Sequence, residues 1–449
     1  MRQTLLRYAR VETPRYTSYP TAADFHDRMT ATDALDMAAG LTPSDTLSAY
    51  VHVPYCVKLC WYCGCHTSIA NRLERVARFA ERLDREIDLW ADALPTHAGL
   101  AHLHFGGGSP NALSPEAFAH IAERIKSRLH ARADLQFDVE IDVRGTAPDF
   151  IDAMGASGVR RASLGIQTFD PAVQAAAGRI QPFEMVAEAV SRLRAAGVHG
   201  LNLDIMYGLP LQTAHSIAQT VRAAVSLRPQ RVAVFGYAHV PWFKKHQTAI
   251  NAADLPGVEA RLDQALAAQE ALLAAGYAPV GFDHYALPED DMAVAAREGR
   301  LSRNFQGYTT DGAAALIPLG PSAIGAFPAG FVQNARDMRS WSAAIDAGRL
   351  ATARGLAPDA DDALRAAVIS RLLCDMAVDV GEIAVSLGRS PEALADAVPA
   401  LDELEAEGVI ARRGWRIAIA PDARFLARTV AACFDARRSI AGTRHAAAV

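Results

Sequence analysis

Cysteine is concentrated in one short stretch of this 449-residue chain, where Cys56, Cys60, Cys63 and Cys65 lie in the run CVKLCWYCGC. The first three have the spacing C-x3-C-x2-C, which lets one loop present three thiolates to a metal centre. Thiolates are the usual protein ligands of iron–sulfur clusters. A structural zinc site normally adds a second group of ligands a dozen or more residues away, and none follows here. The spacing therefore favours an iron–sulfur cluster, with zinc held by the four cysteines alone as the alternative.

A glycine-rich turn, residues 104–110 (HFGGGSP), follows the second predicted strand. Its glycines, Gly107 and Gly108 among them, would let the backbone approach a ligand closely and offer N–H groups to it, with the Ser109 hydroxyl beside them. A tight turn without a ligand is the plainer interpretation of such a motif. Its position after a predicted strand, downstream of the cysteine run, favours binding.

Polar side chains also end the next predicted strands. Glu140 and Asp142 end the third, and either could hydrogen-bond a ribose or an ammonium group. Gln167 ends the fourth strand, and Asp204 lies within the apolar fifth strand, where a carboxylate is costly unless it has a partner. Arg179 is a weaker candidate, since most helical arginines are simply solvated.

Short apolar runs alternate with stretches of helical periodicity from residue 47 to residue 276. The runs predicted as strands are 47–53, 100–105, 137–141, 161–166, 201–206 and 231–237. The predicted helices are 72–94, 115–129, 170–196, 214–227 and 258–275. This alternation predicts a parallel sheet with helical crossovers, and six repeats predict an incomplete (β/α)6 barrel. The cysteine run follows the first strand, so it would lie at the carboxyl face of the barrel, where such folds carry their chemistry.

The chain is predicted to divide into four segments, one of which is the barrel. Residues 1–46 would form an N-terminal segment that closes the cleft, 47–276 the barrel, 277–359 a loop-rich covering segment with few regular elements over 277–335, and 360–449 a mainly helical domain. In the last domain, helices are predicted at 363–376, 380–387, 391–407 and 421–439, with a hairpin at 408–420 and a disordered tail at 441–449.

The composition argues against several classes of protein. The net charge of −5 gives no bulk electrostatic reason to bind nucleic acid or an anionic membrane. No run of 18 apolar residues predicts a transmembrane helix, and the first residues lack the apolar core of a secretory signal, so a cytoplasmic protein is expected. The two other cysteines, Cys374 and Cys433, are expected to be buried structural residues.

Together these motifs resemble the oxygen-independent coproporphyrinogen III oxidase family (coproporphyrinogen dehydrogenase, the HemN family) of the radical S-adenosylmethionine (SAM) superfamily. The cysteine run has that family's C-x3-C-x2-C-x-C form. Other motifs similar to the family's are 15–22 (RYTSYPTA), 237–241 (YAHVP), 283–284 (DH) and 304–310 (NFQGYTT). The resemblance covers nearly the whole chain and implies a (β/α)6 radical SAM barrel with a helical C-terminal domain.

The resemblance also implies the cofactors and the residues that hold them. Cys56, Cys60 and Cys63 would bind three irons of a [4Fe–4S] cluster, leaving the fourth iron for SAM. By position in the family motifs, one SAM would contact Tyr50, Gly107, Glu140 and Ile324. A second SAM would contact Tyr62, Gly108, Ser109, Gln167, Arg179, Asp204 and Ala238. Ser109 stands where the family commonly has Thr, and Pro321 stands near Ile324 where Val is familiar.

The implied reaction is the oxidative decarboxylation of coproporphyrinogen III to protoporphyrinogen IX in haem biosynthesis, by a monomer with an unidentified electron donor and acceptor. Its substrate carries four propionates, so cationic residues should line the cleft. The candidates at the substrate or near the cluster are Arg15, Tyr16, Tyr19, Lys58, Cys65 and Arg303, each weighed against an ordinary structural or surface role. His52, His239 and His284 are treated as structural.

Three alternatives stay open at this stage. The protein could act on haem itself, or carry haem without turnover. The C-terminal helices and hairpin resemble a winged helix, which raises nucleic-acid binding, but Arg412, Arg413 and Arg416 are too few charges for a convincing footprint.

Overall fold

The strands of the computed structural model, which describes residues 2–70 and 72–438, include every strand predicted for the barrel. In chain order they are β1 (Leu47–Val53), β2 (Tyr55–Cys56), β3 (Ser68–Ile69), β4 (Leu100–Gly107), β5 (Ala131–Ile141), β6 (Arg161–Gln167), β7 (Gly200–Tyr207), β8 (Arg231–Gly236), β9 (Ala278–Val280), β10 (His284–Ala286), β11 (Ser302–Asn304), β12 (Gly307–Thr309), β13 (Ala315–Leu319), β14 (Ile324–Phe327), β15 (Gly330–Asn334), β16 (Thr352–Leu356), β17 (Ala377–Asp379), β18 (Ile410–Arg413) and β19 (Arg416–Ile419).

Several helices begin where a side chain caps their free N–H groups. Thr213 and Asp359 form capping boxes, and Ser114 accepts a bond from the N–H of Ala117 ahead of a helix that starts with proline. In chain order the helices are α1 (Arg2–Ala9), α2 (Ala31–Ala39), α3 (Leu73–Ala93), α4 (Pro115–Arg128), α5 (Pro148–Ala156), α6 (Pro171–Ala176), α7 (Phe183–Ala195), α8 (Ala214–Ser226), α9 (Val258–Ala274), α10 (Asp291–Arg297), α11 (Met338–Asp346), α12 (Ala360–Asp375), α13 (Val380–Ser386), α14 (Val398–Ala406) and α15 (Ala427–Ala431).

One twelve-stranded sheet forms the centre of the fold, in the order β16-β15-β14-β13-β1-β4-β5-β6-β7-β8-β10-β9. The strands β1, β4, β5, β6, β7 and β8 pair in parallel in that order. This confirms the predicted incomplete (β/α)6 barrel. Because all six strands run the same way, their carboxyl ends and the loops that follow them lie at one face.

The inner surface of the barrel is polar, although strands of a parallel sheet are usually apolar on both faces. In β7 the buried residues Leu201, Leu203 and Ile205 alternate with Asn202 and Asp204. Successive side chains of a strand point to opposite faces, so one set packs against the helices and the other faces the interior. The polar side chains of this inner face can hydrogen-bond a ligand inside the barrel.

The structure corrects several predicted elements. The stretch 277–335, predicted to have few regular elements, contains strands β9–β15 and helix α10, and most of these strands extend the barrel sheet at both edges. The predicted helix 170–196 is two helices separated around Gly178 and Pro182, and 391–407 and 421–439 are each broken by 3-10 turns. Strands of three to five residues are too short to show a clear periodicity. Two of them, β10 and β13, join the sheet by pairing with β8 and β1, which are distant in sequence.

The C-terminal region contains a small sheet of order β17-β19-β18 beside α12, α13 and α14, as the winged-helix resemblance suggested. The division of the chain into four segments stays a prediction. The predicted tail at 441–449 lies outside the described residues. Within the described ranges, no helix is both long and apolar enough to cross a bilayer.

Candidate active site

The cysteine run occupies the loop that leaves the carboxyl end of β1, as predicted. Cys60 is buried, and its sulfur accepts hydrogen bonds from Arg144 Nη2 at 3.1 Å and from Arg179 Nη1 at 3.2 Å. Both guanidinium groups also bond the carboxylate of Asp142. Burial opposes ionisation of that carboxyl, but the two arginines outweigh it and hold the pKa of Asp142 below its usual value. The arrangement places two guanidinium groups within hydrogen-bonding distance of the sulfur of a predicted cluster ligand.

A second segment, after β8, holds the outer side of the cysteine loop. Lys244 Nζ donates to the carbonyl of Cys65 at 2.9 Å, His246 Nε2 to that of Cys63 at 2.7 Å, and Gln247 Nε2 to that of Tyr62 at 3.0 Å. Sequence analysis missed these residues because they lie about 180 positions from their partners. Their only sequence signal was a position just after the YAHVP motif.

The thiols themselves suit a cluster. Cys56, Cys60 and Cys63 are all free. Hydrogen bonds from the thiol and backbone N–H of Cys65 lower the pKa of Cys63 to about 6, whereas burial raises the pKa of Cys56 to about 11. Thus Cys65 lies in contact with a predicted ligand.

The cysteines supply the donor set that a cluster needs. Within residues 2–70 and 72–438, no three His, Cys, Asp or Glu side chains converge as ligands of a single ion. A [4Fe–4S] cluster makes a different demand, because each thiolate binds its own iron atom. Three free thiols on one loop beside two arginines fit such a cluster.

The glycine-rich turn packs tightly against the cysteine loop and Glu140. A Cβ at Gly107 would lie 2.4 Å from His52 Nδ1, and one at Gly108 would lie 2.5 Å from the carbonyl oxygen of Tyr55. Gly107 N–H donates to Glu140 Oε2 at 3.2 Å, and His104 Nε2 donates to Glu140 Oε1, also at 3.2 Å. Burial opposes ionisation of Glu140, but these bonds and the His104 charge outweigh it and lower its pKa. Glu140, at the end of β5, is therefore ionised, as Asp142 is, but its partners are a histidine and a backbone N–H instead of two arginines.

Tyr50 and His52 link β1 to the cysteine loop. His52 Nε2 donates to the carbonyl of His66 at 2.8 Å, so its Nδ1 accepts from the Tyr50 hydroxyl at 3.1 Å. Burial lowers the pKa of His52 to about 4, so the imidazole is neutral. The structural role predicted for His52 agrees with these contacts.

An interior cavity of about 430 Å³ lies within the barrel, and its lining includes Glu140 and Asp204. Asp204 accepts bonds from Ser163 at 3.0 Å and from Asn202 at 2.8 Å. Burial, and then the charge of Glu140, raises the pKa of Asp204 to about 6. Asp204 therefore has the partners that its burial requires. Both partners are neutral, so the carboxylate can still accept a hydrogen bond from a ligand hydroxyl.

The remaining predicted SAM contacts are dispersed around the barrel mouth. Gln167, at the end of β6, has a left-handed backbone (φ 63°) and a buried Oε1 without a hydrogen-bond partner in the described chain. Ser109 is buried and bonds Asn111, and Ile324 begins β14. Tyr62 is buried beside Cys60, while the carbonyl of Ala238 accepts from Gln247 at 3.2 Å. The roles of all eleven predicted SAM contacts stay predictions.

The N-terminal motif lies near the same mouth. Arg303 Nε donates to the carbonyl of Tyr16 at 3.1 Å, and the hydroxyl of Tyr16 donates to Asp435 at 2.8 Å. Tyr19 accepts from the N–H of Ala436 at 3.2 Å. These contacts join the N-terminal segment to β11 and to the C-terminal region. Lys58 is an exposed residue of the cysteine loop.

Comparison with known proteins identifies close relatives of the chain. Residues 50–224 match the profile of the Radical SAM superfamily. An oxygen-independent coproporphyrinogen III oxidase of Bradyrhizobium diazoefficiens is 46% identical over 98% of each chain. The protein named coproporphyrinogen III oxidase, anaerobic 1, of Cereibacter sphaeroides is 40% identical over 94% of each.

A solved structure shares the fold. It is described as coproporphyrinogen III oxidase (HemN) from Escherichia coli, a radical SAM enzyme, and has 33% identity and a TM-score of 0.90, covering 94% of this chain and 97% of that one. The family expected from the sequence motifs is thereby confirmed. This chain belongs to the oxygen-independent coproporphyrinogen III oxidase family of the radical SAM superfamily.

Proposed function

We propose that this protein is an oxidoreductase that converts coproporphyrinogen III to protoporphyrinogen IX without oxygen, in haem biosynthesis. The observation that carries the proposal is 46% identity over 98% of the chain to a relative named for this activity. The position of the cysteine run at the carboxyl face of a (β/α)6 barrel supports it. Acting on haem, or carrying it, is not favoured, because the first relatives and the full-length structural match are named as coproporphyrinogen oxidases.

In this proposal Cys56, Cys60 and Cys63 hold a [4Fe–4S] cluster, and two SAM molecules bind beside it. When bound, these cofactors would supply a 5′-deoxyadenosyl radical that removes a hydrogen atom from the β-carbon of a propionate. Each propionate then loses CO2 and one electron to become a vinyl group. An electron donor to the cluster and a final electron acceptor, both unidentified, are therefore needed.

The side chains described above would orient and shield these groups. Glu140 and Asp204 face the interior cavity, where the first offers an ionised carboxylate to an ammonium group and the second can bond a ribose hydroxyl. Lys244, His246 and Gln247 would keep the cysteine loop in place, because they occupy three of its backbone carbonyls. The N-terminal segment would exclude water from the barrel mouth.

We further propose a cytoplasmic monomer that does not bind nucleic acid or membranes. In the winged-helix-like region, Arg412 pairs with Asp402 and Glu405, and Arg416 pairs with Asp379 and Glu382. These ion pairs support the proposal, because they neutralise much of the positive charge that a nucleic-acid surface would need.

The test is anaerobic reconstitution with iron and sulfide, followed by dithionite, SAM and coproporphyrinogen III. Protoporphyrin after oxidation, together with 5′-deoxyadenosine, is the expected result. Cys60→Ala should abolish both products and the bound iron, whereas Cys374→Ala, a change at a buried cysteine far from the site in sequence, should retain iron. Formation of 5′-deoxyadenosine without protoporphyrin would show that the substrate is wrong. Failure to assemble any cluster would refute the cofactor assignment.

A further inference from the structure

A second cavity, of about 220 Å³, adjoins the barrel interior and is rich in arginine. Arg15, Arg303 and Arg428 line it, and Asp283 is the one carboxylate in its lining. We call these four residues and their aromatic walls the arginine pocket. The aromatic residues of the walls are Tyr207, Phe235, Phe282, Tyr285, Phe305 and Phe425.

The carboxylate of Asp283 bonds a histidine, and backbone carbonyls and aromatic rings orient the guanidinium groups of Arg15 and Arg303. Asp283 Oδ1 bonds His284 Nδ1 at 2.7 Å. Arg15 donates to the carbonyl of Gly236 at 3.2 Å, and Arg303 donates to the carbonyls of Tyr16 and Arg15 at 3.1 and 3.4 Å. Arg303 also stacks over Phe282 and Tyr308, at 5.0 and 4.5 Å from the ring centroids. The charge of Asp283 also interacts with Arg303 and Arg428, so a single carboxylate in the lining of the pocket faces several cations.

Buried donors in the lining of this cavity are left over. Arg303 Nη1 and Gln306 Nε2 are buried and have no hydrogen-bond partner in the described chain. A buried unsatisfied donor on a charged group is costly, so its persistence indicates that a ligand atom satisfies it.

The cations also crowd one another. Burial, and then the charge of Arg15, lowers the pKa of Arg428 to about 10. The guanidinium of Arg261 lies 5.6 Å from the ring centroid of Tyr207. Burial lowers the pKa of Arg261, and the charge of Arg15 lowers it further. Such repulsion is relieved when an anion enters, and a planar guanidinium suits a carboxylate because two parallel N–H groups can bond its two oxygens.

The position of the pocket connects it to the chemistry. Phe235, His284 and Gln306 line both this pocket and the interior cavity that contains Glu140 and Asp204. A substrate whose reacting carbon lies in the barrel can therefore extend one substituent into the arginine pocket. The pocket is too small for a tetrapyrrole, but it admits a carboxylated side chain with part of its ring against the aromatic walls.

We propose that the arginine pocket binds a propionate carboxylate of the substrate on a ring other than the one being decarboxylated. The proposal rests on the proposed function, since it takes a multiply carboxylated tetrapyrrole as the ligand. The pocket would then set which propionate reaches the barrel interior, and it would reject analogues whose carboxylates are blocked.

The test measures binding, so it needs no catalysis. Coproporphyrin III and its tetramethyl ester would be titrated into the full-length protein by fluorescence at fixed ionic strength. We expect Arg303→Gln and Arg15→Gln each to weaken coproporphyrin binding by about tenfold or more, the value of a lost hydrogen bond to a charged group. Arg303→Lys keeps the charge but loses the planar fork, so it should fall between wild type and Arg303→Gln. Arg389→Gln, at an exposed arginine of the C-terminal region, is the matched control and should bind as wild type does.

Two results would overturn the proposal. One is equal binding of coproporphyrin III and its ester by the wild type. The other is an unchanged affinity in the folded Arg15→Gln/Arg303→Gln double variant. The turnover assay decides the proposed function separately. Wild-type turnover with an unchanged KM in the double variant would refute the role proposed for the pocket but support the proposed function. Absence of wild-type turnover would remove the function, whatever the binding result.

Discussion

Glu86 of α3 is a buried carboxyl whose ionisation should make the stability of the protein depend on pH. Its oxygens accept from Gly320 N–H at 2.6 Å, Asn334 Nδ2 at 2.7 Å and Trp341 Nε1 at 3.1 Å. It thereby anchors the turn that leads to Ile324, a predicted SAM contact. Burial raises the pKa of Glu86 to about 7 against the three hydrogen bonds, which act in the opposite direction.

The sign and size of the effect follow from this raised pKa. An acid with a higher pKa in the folded than in the unfolded state adds stability at low pH, which is lost as the pH rises from 4.5 through about 7. Between pH 5 and pH 8 the loss amounts to about 2.5 kcal/mol of the free energy of unfolding. Glu86→Gln cannot ionise, so it should gain that amount relative to wild type over the same range.

The assay is urea unfolding of the cluster-free proteins at pH 5, 6, 7 and 8, followed by tryptophan fluorescence. All other groups titrate alike in the two proteins, so the difference between their unfolding free energies isolates Glu86. Glu81→Gln, at an exposed position of the same helix, should show no pH-dependent difference. A flat difference for Glu86→Gln would refute the reasoning, because it would mean that the three N–H donors fully compensate for burial.

Three further outcomes are expected. Gly108→Ala should lower the free energy of unfolding by about 1–3 kcal/mol, because its Cβ would meet backbone oxygens at 2.5 and 2.8 Å. It should also weaken SAM binding measured by calorimetry. Gly257→Ala, which has open space at its Cβ, should change neither quantity. Asp290→Ala should cost about 3–5 kcal/mol in urea unfolding, since this buried carboxylate pairs with Arg161 and Arg231. The half-exposed neighbour Asp291, changed to Ala, should cost under about 1 kcal/mol, and equal costs would contradict the burial argument. Gln247→Ala should speed the release of cluster iron to a chelator, because it frees the carbonyl of Tyr62. Thr248→Ala, at an exposed position, should release iron as wild type does. Equal rates in the two variants would rule out the proposal that Gln247 keeps the cysteine loop in place.

Sequence alone determined the features of this protein that are encoded locally. The spacing of Cys56, Cys60 and Cys63 and the six strand–helix repeats are local patterns, so the cysteine loop, the barrel and the family could all be predicted. The polar residues Glu140 and Asp204 could be proposed because each lies at or near the carboxyl end of a predicted strand, and those ends meet at one face.

Tertiary structure decided what depends on residues far apart in the chain. Glu140 is distinguished from Asp142 only by what surrounds them, which is His104 in one case and two arginines in the other. Lys244 and Gln247 reach the cysteine loop across about 180 residues, and Arg15 meets Arg428 across more than 400. Within 277–335, strands β10 and β13 likewise join the sheet by pairing with β8 and β1, which are distant in sequence. Spacing encodes the local backbone, but the environment of a charge is set by the chain segments that packing brings around it.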